Sequence, residues 1–340
     1  MYIMKNEVEE KIMPVGGQAV IEGVMMRSPK RIATAIRRAN GNIEVKVQEF
    51  QSLIQRKKYL NIPIIRGAVT LIEVMILGIK TLQWSADKAM EDFEEEDKKK
   101  KDKKAKTGEK KGMSTAGAVF SVSVALAAGI GIFFVLPLYL TTTVFNIEKQ
   151  ALLFNLVAGS FRIMLFLAYL IGISFMKDVK RLFQYHGAEH KTIYNFESKE
   201  ILSPQNAAKF TTLHPRCGTS FLMIVMLVSL IFFAVLDTFV MLWLGKMSLL
   251  IRLATHIPLI PVVGGLSYEA LKASATRTDN ALVRFLIAPG LWLQRITTKQ
   301  PDEKQLEVAI VALKSALGEE YADELTAAPV IDSQVILAEA

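Results

Sequence analysis

Cysteine and histidine are scarce in this chain of 340 residues, which has one cysteine and four histidines. Because Cys217 has no second cysteine to pair with, an intramolecular disulfide is excluded, and nothing indicates an oxidised secreted scaffold. Charge is missing from several long stretches, although the chain holds 41 Lys and Arg against 33 Asp and Glu. This unevenness disfavours a soluble two-domain protein. The 51% of hydrophobic residues excludes wholesale disorder and collagen-like structure.

Four apolar runs are each long enough to cross a hydrocarbon core, which takes about 20 helical residues. They lie at about Gly117–Val144, Ala151–Met176, Phe221–Gly245 and Ser248–Leu271. We expect the last helix to be broken by Pro258, Pro261, Gly264 and Gly265. The sequence therefore predicts a mainly α-helical polytopic membrane protein with about four transmembrane helices plus interfacial helices.

The basic residues of the connections predict the orientation. The connection Lys177–Ser220 holds seven Lys and Arg against four Asp and Glu, whereas Asn146–Gln150 holds one Lys and one Glu. Since loops rich in Lys and Arg stay in the cytoplasm, the pattern favours four spans with both termini cytoplasmic. The predicted segments are 115–176 and 221–275 for the two pairs of transmembrane helices, with 177–220 as the cytosolic region between them.

Residues 1–60 are predicted to form a small cytosolic β-rich segment. Arg31–Arg38 and Ile43–Phe50 both alternate apolar and polar residues, and Asn40 and Gly41 between them favour a two-residue hairpin turn. That turn pairs Ile36 with Val45, Thr34 with Val47 and Arg37 with Glu44. Gly16–Met26 could add a third strand.

Residues 61–90 are predicted to form an amphipathic interfacial helix. Within the apolar stretch 62–83, Arg66, Glu73 and Lys80 share one helical stripe, which disfavours a fifth span. An ordinary core helix of the cytosolic part fits the pattern equally. We expect residues 91–114 to be a disordered charged linker, with six acids followed by nine lysines in Lys98–Lys111. These lysines would contact the anionic headgroups of the lipid bilayer as a by-product of fixing topology.

The C-terminal part, 276–320, is predicted to hold cytosolic interfacial and amphipathic helices. An interfacial helix over 280–299 is expected to break at Pro289 and Gly290. A second helix would run from Asp302, its N-cap, to a stop at Gly318. Residues 321–340 are expected to be a flexible tail.

The unusual polar chemistry lies in the second cytosolic connection, which contains His186-Gly187-Ala188-Glu189-His190. Helical spacing of i and i+4 puts His186 and His190 on one face, close enough to share a divalent cation. The string H-x-x-E-H has the order of inverted zinc peptidases, in which the glutamate takes a proton from metal-activated water. The pattern predicts a divalent-metal site, with Zn²⁺ favoured and Glu189 as general base.

The third metal ligand has three candidates, which are His214, Cys217 and the downstream Glu269. A closed shell of His186, His190, His214 and Cys217 would instead be a structural zinc site, because it leaves no position for water. Cys217 could also act as a nucleophile beside His214, activated by Arg216 and a helix N-terminus near Gly218. A further alternative is a pair of interfacial histidines that bind lipid phosphates or backbone carbonyls and no metal.

An intramembrane polar layer is predicted from Arg162, Asp237, Arg252 and His256, which fall at similar depths in the spans. Charges at such depth are usually paired, and the natural pair is Asp237 with Arg162 or Arg252. We favour a buried ion pair that fixes helix order over a proton or ion pathway.

Three segments carry a family resemblance: Gly16–Pro29 (GGQAVIEGVMMRSP), His186–Glu197 (HGAEHKTIYNFE) and His214–Leu222 (HPRCGTSFL). The chain resembles the YqhQ-type proteins of bacteria from about residue 14 to about residue 315. The resemblance implies a multi-pass protein of the bacterial plasma membrane and a predicted metal-dependent enzyme, with His186, Glu189, His190, His214 and Cys217 as its site.

Taken together, these patterns favour a metal-dependent hydrolase, such as a peptidase, acting at the cytosolic membrane face. The alternative is a non-enzymatic transporter or membrane scaffold with a structural metal site. No nucleic-acid partner is expected.

Overall fold

The structure is a computed structural model that describes residues 13–101, 115–145, 147, 149–245, 247–275, 280–318 and 335–337. It combines a bundle of apolar helices with a small sheet that is packed between further helices. The expected fold class, a mainly α-helical protein with four candidate spans and an N-terminal sheet, is confirmed.

The N-terminal sheet is built from β1 (Gly16–Val20), β2 (Gly23–Arg27), β3 (Arg31–Arg37) and β4 (Ile43–Glu49), each antiparallel to the next. A fifth strand, β5 (Val335–Leu337), pairs with β4 in parallel, so the order is β1-β2-β3-β4-β5. These three residues were expected to belong to a flexible tail, and this expectation is wrong for them. The rest of 319–340 lies outside the described residues.

The predicted register of the β3–β4 hairpin is wrong by one residue. Ile36 pairs with Glu44, and Arg37 pairs with Ile43. The cause is a three-residue connection, since the amide of Arg38 donates to the carbonyl of Asn42 at 2.9 Å and Gly41 adopts a φ of +90°. The alternating pattern could not fix the register, because Ile32 to Ile36 are all buried and both faces of β3 are covered.

Helices cover both faces of the sheet. On one face, Val24, Met26, Ala35 and Val45 pack against α6 (Lys177–Glu197) and α11 (Glu303–Leu317). On the other face, Met25, Ile32 and Ile36 pack against Leu77 and Trp84 of α2 (Ile65–Lys101). Between β4 and α2 lie the short α1 (Leu53–Arg56) and a 3₁₀ turn at Lys58–Leu60.

Helix α2 is longer than predicted, because its 37 residues include the acidic block that was expected to be disordered. One reason is visible in Asp92, whose carboxylate accepts hydrogen bonds from Arg38 Nε and from the amide of Ala39, both at 2.9 Å. The sheet thereby anchors the acidic turn. Residues 102–114 lie outside the described part, so the lipid contact expected of Lys98–Lys111 stays a prediction.

Among the described residues, four helices are long and apolar enough to cross a membrane, and they match the four predicted runs. The first, Ser123–Phe145, passes through α3 (Thr115–Ile130), a π-helical turn (Gly131–Val135) and α4 (Leu136–Phe145). The others belong to α5 (Ala151–Ser174), α8 (Gly218–Leu244) and α9 (Leu249–Ala275).

Two predicted helix breaks are absent from the described residues. Helix α9 continues through both of its prolines, and α10 (Ala281–Thr297) continues through Pro289. Gly265 and Gly290, which were expected to help break these helices, instead allow neighbouring segments to pack closely against them. A Cβ on Gly265 would lie 2.3 Å from the carbonyl oxygen of Ile64, and one on Gly290 would lie 2.7 Å from Ser220 Cβ. These glycines therefore let α2 and α8 approach the two helices closely.

The predicted capping of α11 is confirmed. Asp302 accepts a hydrogen bond from the amide of Gln305, whose side chain accepts one from the amide of Asp302, and Gly318 ends the helix. The short α7 (Pro204–Ala208) completes the region between α6 and α8.

Candidate functional site

Helix α6 presents the two histidines of the motif as the i, i+4 spacing predicts, with ring centroids 4.5 Å apart. Tyr185 and Ala188 of the same helix are buried against the sheet core, which fixes its rotation. Between them, Gly187 brings α6 against the chain after α10, because a Cβ there would lie 2.1 Å from the carbonyl oxygen of Lys299. Neighbours on two sides therefore hold the helix that carries the histidines.

Cys217 completes a three-residue cluster with these histidines. It is the N-cap of α8, and its Sγ lies 3.2 Å from His186 Nε2. Among the described residues, His186, His190 and Cys217 are the group that could hold a metal ion, with one ligand atom from each within 4.8 Å of the others. The structure thus gathers two imidazoles and one thiol around one point.

Backbone carbonyls fix the orientation of both rings. His186 Nδ1 lies 2.8 Å from the carbonyl oxygen of Thr297, and His190 Nδ1 lies 2.5 Å from that of Thr212. A carbonyl oxygen can only accept, so each Nδ1 carries the proton and each Nε2 keeps its lone pair. The Nε2 of His190 is buried and has no hydrogen-bond partner in the described part of the chain. This is the outer-shell arrangement of metal-binding histidines.

Glu189 lies beside the cluster and is almost fully buried. Its Oε2 is 3.9 Å from His186 Nε2, and the backbone amide of Gly17 donates a hydrogen bond to it. Burial raises the pKa of Glu189, while His186, His214 and the Gly17 amide lower it. Strand β1 covers this carboxylate closely, because a Cβ on Gly17 would lie 3.0 Å from Glu189 Cγ.

His214 lies next to the cluster but not within it. Its ring centroid is 5.5 Å from that of His190, and its Nδ1 accepts a hydrogen bond from the amide of Arg216 at 3.3 Å. Burial lowers the pKa of His214, which favours the neutral ring. The proton then sits on Nε2, which faces the carboxylate of Glu197 at 3.9 Å. The described residues that gather around one point are therefore His186, His190 and Cys217, without His214.

Glu269 is not gathered into the cluster either. Its two oxygens accept hydrogen bonds of 2.6 and 2.5 Å from the Nε and Nη2 of Arg66. Since both oxygens are engaged in this pair, the structure does not support Glu269 as the third ligand.

Gln294 of α10 is a supporting residue that sequence reasoning missed. Its buried amide accepts from the amide of His214 and donates to the carbonyl of His214 and to Ser220 Oγ, each at 2.7 Å. These bonds attach the His214–Cys217 segment to α10. The only signal in the sequence is a glutamine on a helix that is otherwise apolar on that side, and this signal is weak.

The polar layer inside the bundle centres on Asp237, which is fully buried. Arg252 Nη1 donates to its carboxylate, His256 Nε2 lies 2.7 Å from it, and Asn155 Nδ2 donates to it at 2.7 Å. Asn155 was not predicted. Of the two partners proposed for Asp237, the structure selects Arg252.

Arg162 does not join this layer. Its Nε donates to the carbonyl of Phe133 at 3.0 Å, and its guanidinium lies 4.9 Å from the ring centroid of Phe134. Phe133 is in the π-helical turn, where the regular hydrogen-bond pattern of the helix is interrupted. Arg162 therefore binds a backbone group of the first span.

Comparisons with known proteins identify the family of the chain. The family model described as "Protein of unknown function (DUF1385)" matches residues 62–319. The "Uncharacterized protein YqhQ" of Bacillus subtilis (strain 168) is 32% identical over 332 residues, which cover 94% of this chain and 98% of that protein. No solved structure matches the chain. The chain belongs to the DUF1385 family, as the resemblance to YqhQ-type proteins implied.

Proposed function

We propose that this protein is an integral membrane metalloenzyme, a metal-dependent hydrolase whose site faces the cytoplasm. One observation carries the proposal: His186, His190 and Cys217 each place one ligand atom within 4.8 Å of the other two. Both rings are held by carbonyls at Nδ1, so each neutral ring keeps its lone pair on Nε2, and that of His186 lies 3.2 Å from Cys217 Sγ.

The donor set favours zinc. Two imidazole nitrogens and one thiolate form a combination that binds Zn²⁺ with tetrahedral geometry, and three protein ligands leave the fourth position open. A divalent cation in this position would supply Lewis acidity, which makes water acidic enough to ionise at about pH 7.

Glu189 has the role of general base in this proposal. Its carboxylate is 3.9 Å from the Nε2 of His186, and the Gly17 amide holds it in place. A carboxylate so placed can accept the proton of an attacking water and return it to the leaving group of the substrate. The neighbouring strand β1 limits the access of bulk water to this carboxylate.

The proposed location follows from the charge pattern and the chain path. Cys217 directly precedes α8, whose apolar span begins at Gly218, so the cluster belongs at one end of the bundle. The basic connection 177–220 favours the cytoplasmic end. A multi-pass arrangement in the bacterial plasma membrane with both termini in the cytoplasm accommodates these features.

The alternatives receive less support. The transporter hypothesis relies on the polar layer, but Asp237 is already satisfied by Arg252, His256 and Asn155. A structural zinc site with four ligands would need a lone pair from His214, whose ring turns its proton-bearing nitrogen toward Glu197.

The metal part of the proposal is tested by elemental analysis of the purified protein. We expect bound zinc in the wild type, loss of zinc in His190→Ala, and retained zinc in Glu189→Gln. X-ray absorption should find two nitrogens, one sulfur and one further light atom around the metal. Equal, near-zero metal in wild type and His190→Ala would contradict the proposal.

The hydrolytic part needs a separate measurement, because the substrate is unknown. Membranes from bacterial cells that overproduce wild type or Glu189→Gln can be compared by untargeted mass spectrometry of released peptides and lipid fragments. We expect products that are formed only with the wild type. Identical product profiles, with metal present in both proteins, would reject hydrolysis and leave a metal-binding scaffold.

A further inference from the structure

Helix α2 exposes a continuous apolar stripe along its first half. The stripe consists of six residues that recur at helical spacing and are each at least 40% exposed: Ile65, Ile72, Met75, Ile76, Ile79 and Leu82. Soluble surfaces rarely present so many large apolar side chains side by side. The stripe ends before Asp87, and beyond it the exposed positions combine acidic residues with Met90 and Phe93.

The opposite face of α2 is already occupied by the protein. A Cβ on Gly67 would lie 2.8 Å from the carbonyl oxygen of Gly265 in α9, and one on Gly264 would lie 2.9 Å from Leu71 Cδ1. Further along the helix, Thr81 Oγ1 lies 3.0 Å from Gln18 Nε2, which donates to it from β1. The stripe is thus the side of α2 that faces away from both the bundle and the sheet.

The contact with α9 indicates how deep in the membrane the start of α2 would lie. Gly265 lies eight residues before Ala273, the end of the apolar span of α9. At about 1.5 Å per residue this is about 12 Å along the helix. Since Gly67 and Ile64 touch Gly265 directly, the start of α2 lies alongside a membrane-spanning segment, within the depth of one leaflet.

Two of the three charged side chains that argue against immersion have hydrogen-bond partners within the protein. Arg66 forms a bidentate salt bridge with Glu269. Glu73 accepts hydrogen bonds from Ser52 Oγ at 2.6 Å and from the amide of Leu53 at 2.8 Å. Lys80 is exposed, and a lysine can extend its ammonium to the headgroups from a shallow position. The exposed Arg56, Lys57 and Lys58 just before α2 suit contact with anionic headgroups.

We infer that the apolar stripe of α2 is a lipid-binding surface, which lies among the acyl chains of the cytosolic leaflet beside α9. The occupant is bilayer hydrocarbon, because α2 packs closely on α9, a candidate membrane span whose Leu250, Ile257 and Ile260 are also at least 40% exposed. The inference does not depend on the metal centre, and it makes α2 a membrane helix that does not span.

Spin labelling tests the inference in the full-length protein. Met75→Cys lies on the stripe, and Glu95→Cys, at an exposed acidic position of the same helix beyond the end of the stripe, is the control. The labelled proteins are placed in liposomes of phosphatidylethanolamine and phosphatidylglycerol. Unmutated protein gives the background from the buried Cys217, and Cys217→Ser replaces it if that background is high.

Collision rates with oxygen, which dissolves in lipid, and with a water-soluble nickel chelate separate the outcomes. We expect the ratio of oxygen to nickel collisions to be several-fold higher at position 75 than at position 95, with the same result for Ile79→Cys. A high nickel rate at position 75 would place the stripe in water and overturn the inference. Low rates for both reagents would mean that protein, such as a second copy, covers the stripe, and would overturn it equally.

Discussion

His186 Nε2 and Cys217 Sγ lie 3.2 Å apart although 31 positions separate the two residues in the chain. The contact joins a helix that packs on the sheet to the first turn of an apolar span. The contact is compatible with two chemistries for Cys217, as a metal ligand or as a nucleophile with His186 as its base.

Cys217→Ser is expected to lower metal affinity more than about 100-fold, because loss of an outer-shell partner alone costs 10- to 100-fold. With Co²⁺ as the probe, the wild type should show a thiolate-to-metal charge-transfer absorption that Cys217→Ser lacks. The measurement is a titration of metal-free protein followed by absorption spectroscopy. An unchanged spectrum and affinity would remove Cys217 from the ligand set.

His214→Gln is expected to keep the metal. The neutral ring of His214 accepts from the Arg216 amide at Nδ1, so its remaining nitrogen carries a proton and offers no lone pair. Metal content by mass spectrometry should match the wild type, whereas His186→Ala should lose it. If His214→Gln loses metal while its thermal unfolding is unchanged, a four-ligand structural site is correct.

The four candidate membrane spans and the histidine pair were predictable because each depends on local sequence. Hydropathy identifies a span without knowledge of its neighbours, and i, i+4 spacing brings His186 and His190 together on any helix. The role of the pair stays a prediction, but its geometry follows from α6 alone.

The third member of the cluster was not predictable, because the choice depends on how α8 and α9 sit against α6. Cys217, His214 and Glu269 are all of residue types that bind zinc, so the sequence alone left three candidates for the third ligand. In the structure they differ in their contacts. Arg66 donates a hydrogen bond to the carboxylate of Glu269, and the amide of Arg216 donates one to Nδ1 of His214. The carbonyls of Thr212 and Thr297, which orient the rings, carry no signal in the sequence at all.

The glycines of β1 provide a matched pair of substitutions. A Cβ at position 17 would lie 2.5 Å from the carbonyl oxygen of Met25 and 3.0 Å from Glu189 Cγ, whereas a Cβ at position 16 meets nothing within 4 Å. Gly17→Ala should therefore destabilise the fold by about 1–3 kcal/mol and displace Glu189. The unfolding temperature and the amount of product formed should both fall in Gly17→Ala, and both should change little in Gly16→Ala. Equal behaviour of the two variants would show that β1 does not constrain the site.

The buried carboxylate of Asp237 gives the last prediction. In Asp237→Leu the guanidinium of Arg252 stays buried without its carboxylate, and breaking such a pair costs about 3–5 kcal/mol. The unfolding temperature in detergent should fall steeply, while the double variant Asp237→Leu/Arg252→Met should recover most of the loss, because no unpaired charge remains. Metal content in the folded fraction should be unchanged in both. If the double variant folds as well as wild type but loses the protein's activity, the polar layer has a functional role beyond helix order.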